Sequence, residues 1–233
     1  MGLILNTRPA FYHERFHDAF GDLDWPIYDI PLTLPEPVPG DIPPAAGFDV
    51  VIFTSQIAVA AFPNDPQWLS KKVWTVGQGT TDAAKAAGYT DVLQTGLQVE
   101  HLQRYLTQNS FGRALYPSGD DVTADLAKEF PGRIDRRVFY KMTPRPTLPP
   151  QLVEQMRKST PIAAPLFSQR GAEVFATLLG RAGITAQNAK IAVIGISANA
   201  APPGPWQKQF VAAQPVVEDL VARTGEAIAS FGR

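Results

Sequence analysis

The chain has 233 residues, of which 45% are hydrophobic and 18% charged, and it contains no cysteine. That length fits one large domain or two of roughly 110 residues. The composition excludes bulk disorder, and the missing cysteine excludes disulfides, thiolate metal sites, iron–sulfur clusters and a cysteine nucleophile. A net charge of −1, from 21 basic against 22 acidic residues, disfavours a general nucleic-acid or anionic-membrane binder.

At the start, Leu3-Ile4-Leu5 is too short an apolar run for a secretory signal. No stretch approaches the roughly 18 apolar residues of a membrane span. A soluble cytoplasmic protein is the expectation. Further along, short apolar runs predict strands at Leu3–Asn6, Pro26–Leu32, Asp49–Thr54, Val73–Val76, Asp91–Gln94, Arg113–Tyr116, Arg137–Met142, Ile162–Phe167, Ile191–Ile196 and Phe210–Ala213. Many are continuous rather than alternating, as for strands covered on both faces. Helical segments follow at Gln56–Phe62, Thr81–Ala87, Val99–Gln108, Asp121–Phe130, Gly171–Gly180 and Val217–Phe231. Strand, turn and helix in repetition predict an α/β fold with parallel sheets.

The chain also echoes itself. Val73–Gly77 resembles Ile191–Gly195, and Val99-Glu100 with Leu102 resembles Val217-Glu218 with Leu220. Two similar α/β halves follow, unless these are only the common look of strand-to-helix turns. Proline marks the joints: Pro31–Pro44 carries six prolines in fourteen residues, and Thr143–Pro150 carries four. Proline fixes φ and removes a donor, so both stretches read as semi-rigid connectors rather than helix or inner strand. The first piece is too short to be a domain and must join the third. The expectation is a discontinuous α/β domain, 1–33 plus 147–233, and an inserted α/β domain, 36–142, joined by a two-segment hinge over a cleft.

Familiar cofactor signatures are missing. Gly77-Gln78-Gly79 lacks the third glycine and distant acid of a dinucleotide loop, and there is no phosphate loop, nucleophile elbow or HExxH. His13 and His17 share a predicted helix face without further ligands. What remains is a set of small polar residues at strand C-termini: Thr7-Arg8, Thr54-Ser55-Gln56, Thr80-Thr81, Ser118-Gly119, Ser168-Gln169 and Ser197. In open parallel sheets this edge binds ligands. Each position reads as opening a helix, whose free N–H groups attract anions; plain N-capping is the alternative at any one of them. Arg133, Arg136, Arg137, Lys141 and Arg145 form a basic cluster at the second joint, either a wall for a polyanion or solvated charge. Tyr140 sits beside that joint, as a proton donor or as packing.

These residues together resemble the uroporphyrinogen-III synthase family. Thr7-Arg8-Pro9 is similar to that family's opening, and Phe53-Thr54-Ser55 with Ala58-Val59 to its first strand and helix. Val76-Gly77 with Thr80 is similar to its Val-Gly-x-x-Thr helix, and Arg137–Tyr140 to its crossing strand, whose tyrosine is the favoured catalytic residue. Phe167-Ser168 and Ile194-Gly195 fall where the second copies belong. Departures are Gln56-Ile57 after Thr-Ser, Ser168-Gln169 in the second lobe, and Ser197 in place of a Gly-x-x-Thr hydroxyl. The resemblance implies closure of hydroxymethylbilane into uroporphyrinogen III, with inversion of the last ring and loss of water. It implies no metal or redox cofactor and a monomer touching the preceding pathway enzyme transiently. It makes Tyr140 catalytic and Thr7, Arg8, Thr54, Ser55, Gln56, Thr80, Ser118, Gly119, Ser168, Gln169 and Ser197 substrate-binding. A binding-only two-lobe relative and an enzyme of phosphorylated substrates are the alternatives.

Overall fold

A computed structural model describes residues 1–232. The chain opens with β1 (Leu3–Asn6), α1 (His13–Phe20) and β2 (Ile27–Asp29) and then runs through β3 (Thr33–Pro37). It continues with β4 (Val50–Phe53), α2 (Gln56–Ala61), α3 (Pro66–Leu69), β5 (Lys72–Val76), α4 (Gln78–Ala86), β6 (Val92–Gly96), α5 (Val99–Gln108), β7 (Ala114–Gly119) and α6 (Leu126–Glu129). After β8 (Ile134–Pro144) come α7 (Pro150–Arg157), β9 (Ile162–Leu166), α8 (Gln169–Arg181), β10 (Ile191–Gly195), β11 (Lys208–Val211) and α9 (Val217–Ala229). Two compact units result. One is Met1–Leu34 with the chain from Pro144 onward, and the other is Pro35–Thr143.

The first unit holds a five-stranded sheet in the order β11-β10-β9-β1-β2, and the second a six-stranded sheet in the order β3-β8-β7-β4-β5-β6. Leaving β3 aside, the two orders are the same: β9, β10 and β11 correspond to β4, β5 and β6, and β1 and β2 to β7 and β8. The echo in the sequence has this as its cause. The pairings from β4 to β8 and throughout the first sheet are parallel. β3 is an edge strand, a position that tolerates Pro35 and Pro37. There the Val38 N–H donates to Phe139 O.

Burial explains why these segments are strands. β4 (Val-Val-Ile-Phe), β9 and β10 are buried at every residue, as inner parallel strands covered on both faces must be. Alternate side chains feed opposite cores. Leu5, Ile162, Ala164, Ile191 and Val193 join Leu152, Met156 and Phe175 on one face of the first sheet. Ile4, Ala163, Ala192 and Ile194 join Phe16, Phe20 and Leu220 on the other. In the second unit Val51, Phe53, Val73 and Leu115 face one core, and Val50, Ile52, Trp74 and Ala114 the other. α8 buries Ala172, Val174, Phe175, Leu178 and Leu179, a helical stripe, and starts where Ser168 Oγ accepts the Gly171 N–H.

Two expectations change. The helix predicted over Asp121–Phe130 shrinks to Leu126–Glu129, one turn. It ends at Phe130, whose backbone leaves the helical region two residues before Gly132 at φ +74, and upstream Arg136 donates to the Gly119 and Asp120 carbonyls. The second proline-rich stretch is not all connector. β8 reaches Pro144, and Pro150 opens α7 at the first helical position, where its missing N–H costs nothing.

Candidate active site

Because the strands are parallel, their C-terminal ends and the turns that follow lie along one edge of each sheet. In the second unit that edge gathers Thr54, Ser55, Tyr116, Ser118, Gly119 and Tyr140. Ser55 follows β4 and caps α2, its Oγ accepting the Ile57 N–H at 3.0 Å. The Tyr140 hydroxyl donates to the same Oγ at 3.2 Å. Thr54 Oγ1 lies 3.1 Å from the Tyr116 hydroxyl. Burial pushes the Tyr116 phenol above its ordinary value, with the Thr54 bond and Arg136 pulling the other way. Tyr140 is 8% exposed, its ring inside the core beside Phe139.

The ring has room because its neighbour is glycine. A Cβ on Gly119 would stand 3.0 Å from two ring carbons and 3.2 Å from the hydroxyl. The β7–β8 register shifts between Ser118 and Gly119, so that Tyr140 rather than Phe139 lies opposite Gly119. Arg136 locks this corner. Its Nε donates to Ser118 Oγ at 2.9 Å, and its Nη2 to the carbonyls of Gly119 and Asp120 at 2.8 Å. Ser118 Oγ itself donates to Gly119 O.

Thr80 lies in the first turn of α4, buried, after Gly77 at φ +78. The N–H groups of Gln78, Gly79 and Thr80 precede the first intrahelical bond, which runs from Thr81 N–H to Gly77 O. Gln56 is the first residue of α2.

In the first unit, Thr7 Oγ1 donates to Pro165 O at 3.0 Å and ties the end of β1 to β9. The Arg8 guanidinium lies over the Tyr12 ring at 4.1 Å and the Phe167 ring at 4.5 Å. Burial lowers its pKa, opposed by Tyr12 and reinforced by Arg15. Ser168 caps α8, and Gln169 Nε2 bonds Glu173 along that helix. Ser197 opens only a three-residue 3-10 turn, Ala198–Ala200, with no side-chain cap.

The reading that every one of these positions opens a helix is corrected here. Ser118 and Gly119 end a strand and run into a bent, irregular stretch that Arg136 holds. Thr7 precedes a 3-10 turn, and Pro202-Pro203 stops any helix after Ser197. Helices long enough to carry a useful dipole follow only Gly77 and Ser168. The basic cluster is largely engaged in the fold. Arg133 donates to Phe111 O, Arg137 pairs with Asp135, Lys141 with Glu36, and Arg145 donates to Pro31 O. Sequence reasoning missed Tyr116, which reads as plain core, and the clamping role of Arg136. Among the described residues no group of three or more His, Cys, Asp or Glu side chains is arranged to hold a metal ion. Nor is any helix there long and apolar enough to cross a membrane.

The family model described as uroporphyrinogen-III synthase HemD matches residues 15–222. The chain belongs to the uroporphyrinogen-III synthase family. The family's reaction, closure of hydroxymethylbilane to uroporphyrinogen III with ring inversion and loss of water, is its activity, a cofactor-independent lyase step of porphyrin and heme biosynthesis. A search of curated proteins found no match to this sequence. Among solved structures, uroporphyrinogen-III synthetase from Helicobacter pylori is 15% identical at a TM-score of 0.63, covering 100% of this chain and 99% of its own. That likeness is one of fold. Uroporphyrinogen III synthase from the thermophilic bacterium Thermus thermophilus is 16% identical at a TM-score of 0.42, covering all of both chains.

Proposed function

We propose that Tyr140 is the proton donor of the family reaction in this chain. The hydroxymethyl C–O bond breaks with its electron pair leaving on oxygen, and the Tyr140 proton makes that oxygen a water molecule. The pyrrole nitrogen supplies electrons to the carbon left behind. For the last ring to invert, its bridge-bearing α carbon bonds the first ring's new carbon, and its bond to the old methylene bridge breaks. That bridge re-bonds at the ring's free α carbon, whose proton returns to the phenolate. The observation carrying this reading is the bond from the Tyr140 hydroxyl to Ser55 Oγ, beside Gly119 and Thr54. Ser55 fixes where the phenol points, and the Thr54–Tyr116 pair stiffens the neighbouring strand ends.

The reading extends to the carboxylates of the substrate. Free N–H groups at the start of α4 and α8, together with Arg8, take them, with Thr7, Thr54, Ser55, Gln56, Thr80, Ser118, Gly119, Ser168, Gln169 and Ser197 shaping the strand-end surfaces. Hydroxyls already bonded within the fold, as in Thr7 and Ser118, act there by shape. The functional lobes are 1–33 with 147–233, and 36–142. The chain works as a cytoplasmic monomer with transient contact to the enzyme that makes hydroxymethylbilane; sedimentation with and without that enzyme tests this. For Tyr140, freshly made hydroxymethylbilane is converted and isomers I and III are separated. Tyr140→Phe is expected to lower kcat about 10²–10⁴-fold. A loss below about threefold at matched folding means that Tyr140 is packing and the proposal is wrong.

A further inference from the structure

Arg8 presents a guanidinium without an opposite charge. It lies between the Tyr12 and Phe167 rings, half-buried, and among the described residues no carboxylate lies within ion-pair distance. The aromatic faces stabilise the cation but satisfy none of its N–H groups. A planar fork of donors held this way matches a carboxylate.

The backbone beneath it is held from both sides. Asn6, fully buried at the end of β1, accepts the Arg8 N–H on Oδ1 at 3.2 Å. His13 Nε2, at 3.1 Å, donates to the Arg8 carbonyl, which can only accept. Both side chains lead to one carboxylate. Asn6 Nδ2 donates to Asp29 Oδ1 at 2.7 Å, and His13 Nδ1 stands 3.5 Å from Asp29 Oδ2. His17 Nε2 adds contacts of 3.0 and 3.1 Å to the two Asp29 oxygens. α1 is set against the sheet by Phe16, which stacks on Phe20 and meets Phe167, the ring under Arg8. Asp29 thus holds Asn6 by a hydrogen bond and stands beside His13, so that it lies behind both side chains that grip the Arg8 backbone, while staying out of reach of the guanidinium.

We infer that Asn6, His13 and Asp29 form a positioning network that holds Arg8 ready for a carboxylate of the substrate, with Asp29 as the common anchor. The inference rests on the proposal that Arg8 takes a substrate carboxylate. Asp29 touches no substrate and acts through Arg8 alone.

A double-mutant cycle on the whole chain tests it, with initial rates on freshly made hydroxymethylbilane and thermal midpoints to confirm folding. Arg8→Gln is expected to raise KM about tenfold or more, with kcat within about threefold. Asp29→Ala is expected to raise KM about three- to tenfold. The double variant should have the KM of Arg8→Gln alone, because the two act in series. A purely structural Asp29 would lower the midpoint and multiply with Arg8→Gln instead. If Asp29→Ala does not fold, His13→Ala takes its place in the same cycle. An unchanged KM in Arg8→Gln overturns the carboxylate role of Arg8 and the network with it. A raised KM there, with Asp29→Ala silent or multiplicative, overturns the network and leaves the role of Arg8 standing.

Discussion

Gly119 shows how one missing side chain makes room for a neighbour. Its backbone is not in the left-handed region, so the requirement is space. An added Cβ would stand 3.0 Å from the Tyr140 ring and force it aside by a few tenths of an ångström. The ring cannot simply give way, since it sits in the core with its hydroxyl tied to Ser55. Gly119→Ala is therefore expected to lower kcat about tenfold, because small misplacements of a reacting group carry large rate costs. The protein should stay folded. Steady-state kinetics beside a thermal melt checks this, and an unaltered kcat would show that the ring position is not critical. Tyr140 is singled out in the sequence by its resemblance to the family's tyrosine. Its partner is not, since the bond to Ser55 joins residues 85 positions apart.

Among the elements, α4 is where binding by helix N–H groups is most open to test. It has nine residues, and Thr80 stands at its third position, where the N–H has no intrahelical partner. Thr80→Ala keeps that donor and should change product affinity by less than about threefold. Thr80→Pro deletes it along with the turn and should weaken affinity about three- to tenfold or more. If Thr80→Ala already abolishes binding in a folded protein, the hydroxyl rather than the helix terminus holds the ligand. The helix over Val99–Gln108 is legible to the residue, because Leu102 and Leu106 repeat at helical spacing and are buried. The helix expected over Asp121–Phe130 forms only over Leu126–Glu129, and just before it Arg136, from the next strand, holds the Gly119 and Asp120 carbonyls. Local propensity carries no record of such a contact.

Over the whole molecule, a chain of net charge −1 must hold a substrate of many carboxylates. Bulk attraction cannot do this, and much of the basic cluster at the second joint is occupied with its own fold. In the binding proposed above, fixed backbone donors and a stacked Arg8 supply the local attraction. Raising salt from about 0.1 to 1 M should therefore raise KM by less than about tenfold, since partly buried donors are screened less than exposed charges. A rise of a hundredfold or more, measured at constant pH, would return the binding role to exposed side chains.

The class of fold, most of the strands and the repetition of one α/β plan in two units are all written in short-range patterns. Fully apolar runs mark inner strands, stripes such as that of α8 mark helices, and Pro35, Pro37 and Pro150 mark an edge strand and a helix start, although Pro117 and Pro165 sit in inner strands. The strand-end residues are legible for a related reason, since a parallel sheet puts all such turns on one edge. Which of them meet is settled by tertiary contact alone. Thr7 reaches Pro165 across 158 positions, Arg8 finds Phe167, and Asn6 and His13 converge on Asp29. Side-chain hydrogen bonds and ring stacking act over a few ångströms in space, and strand pairing rather than chain order sets those distances.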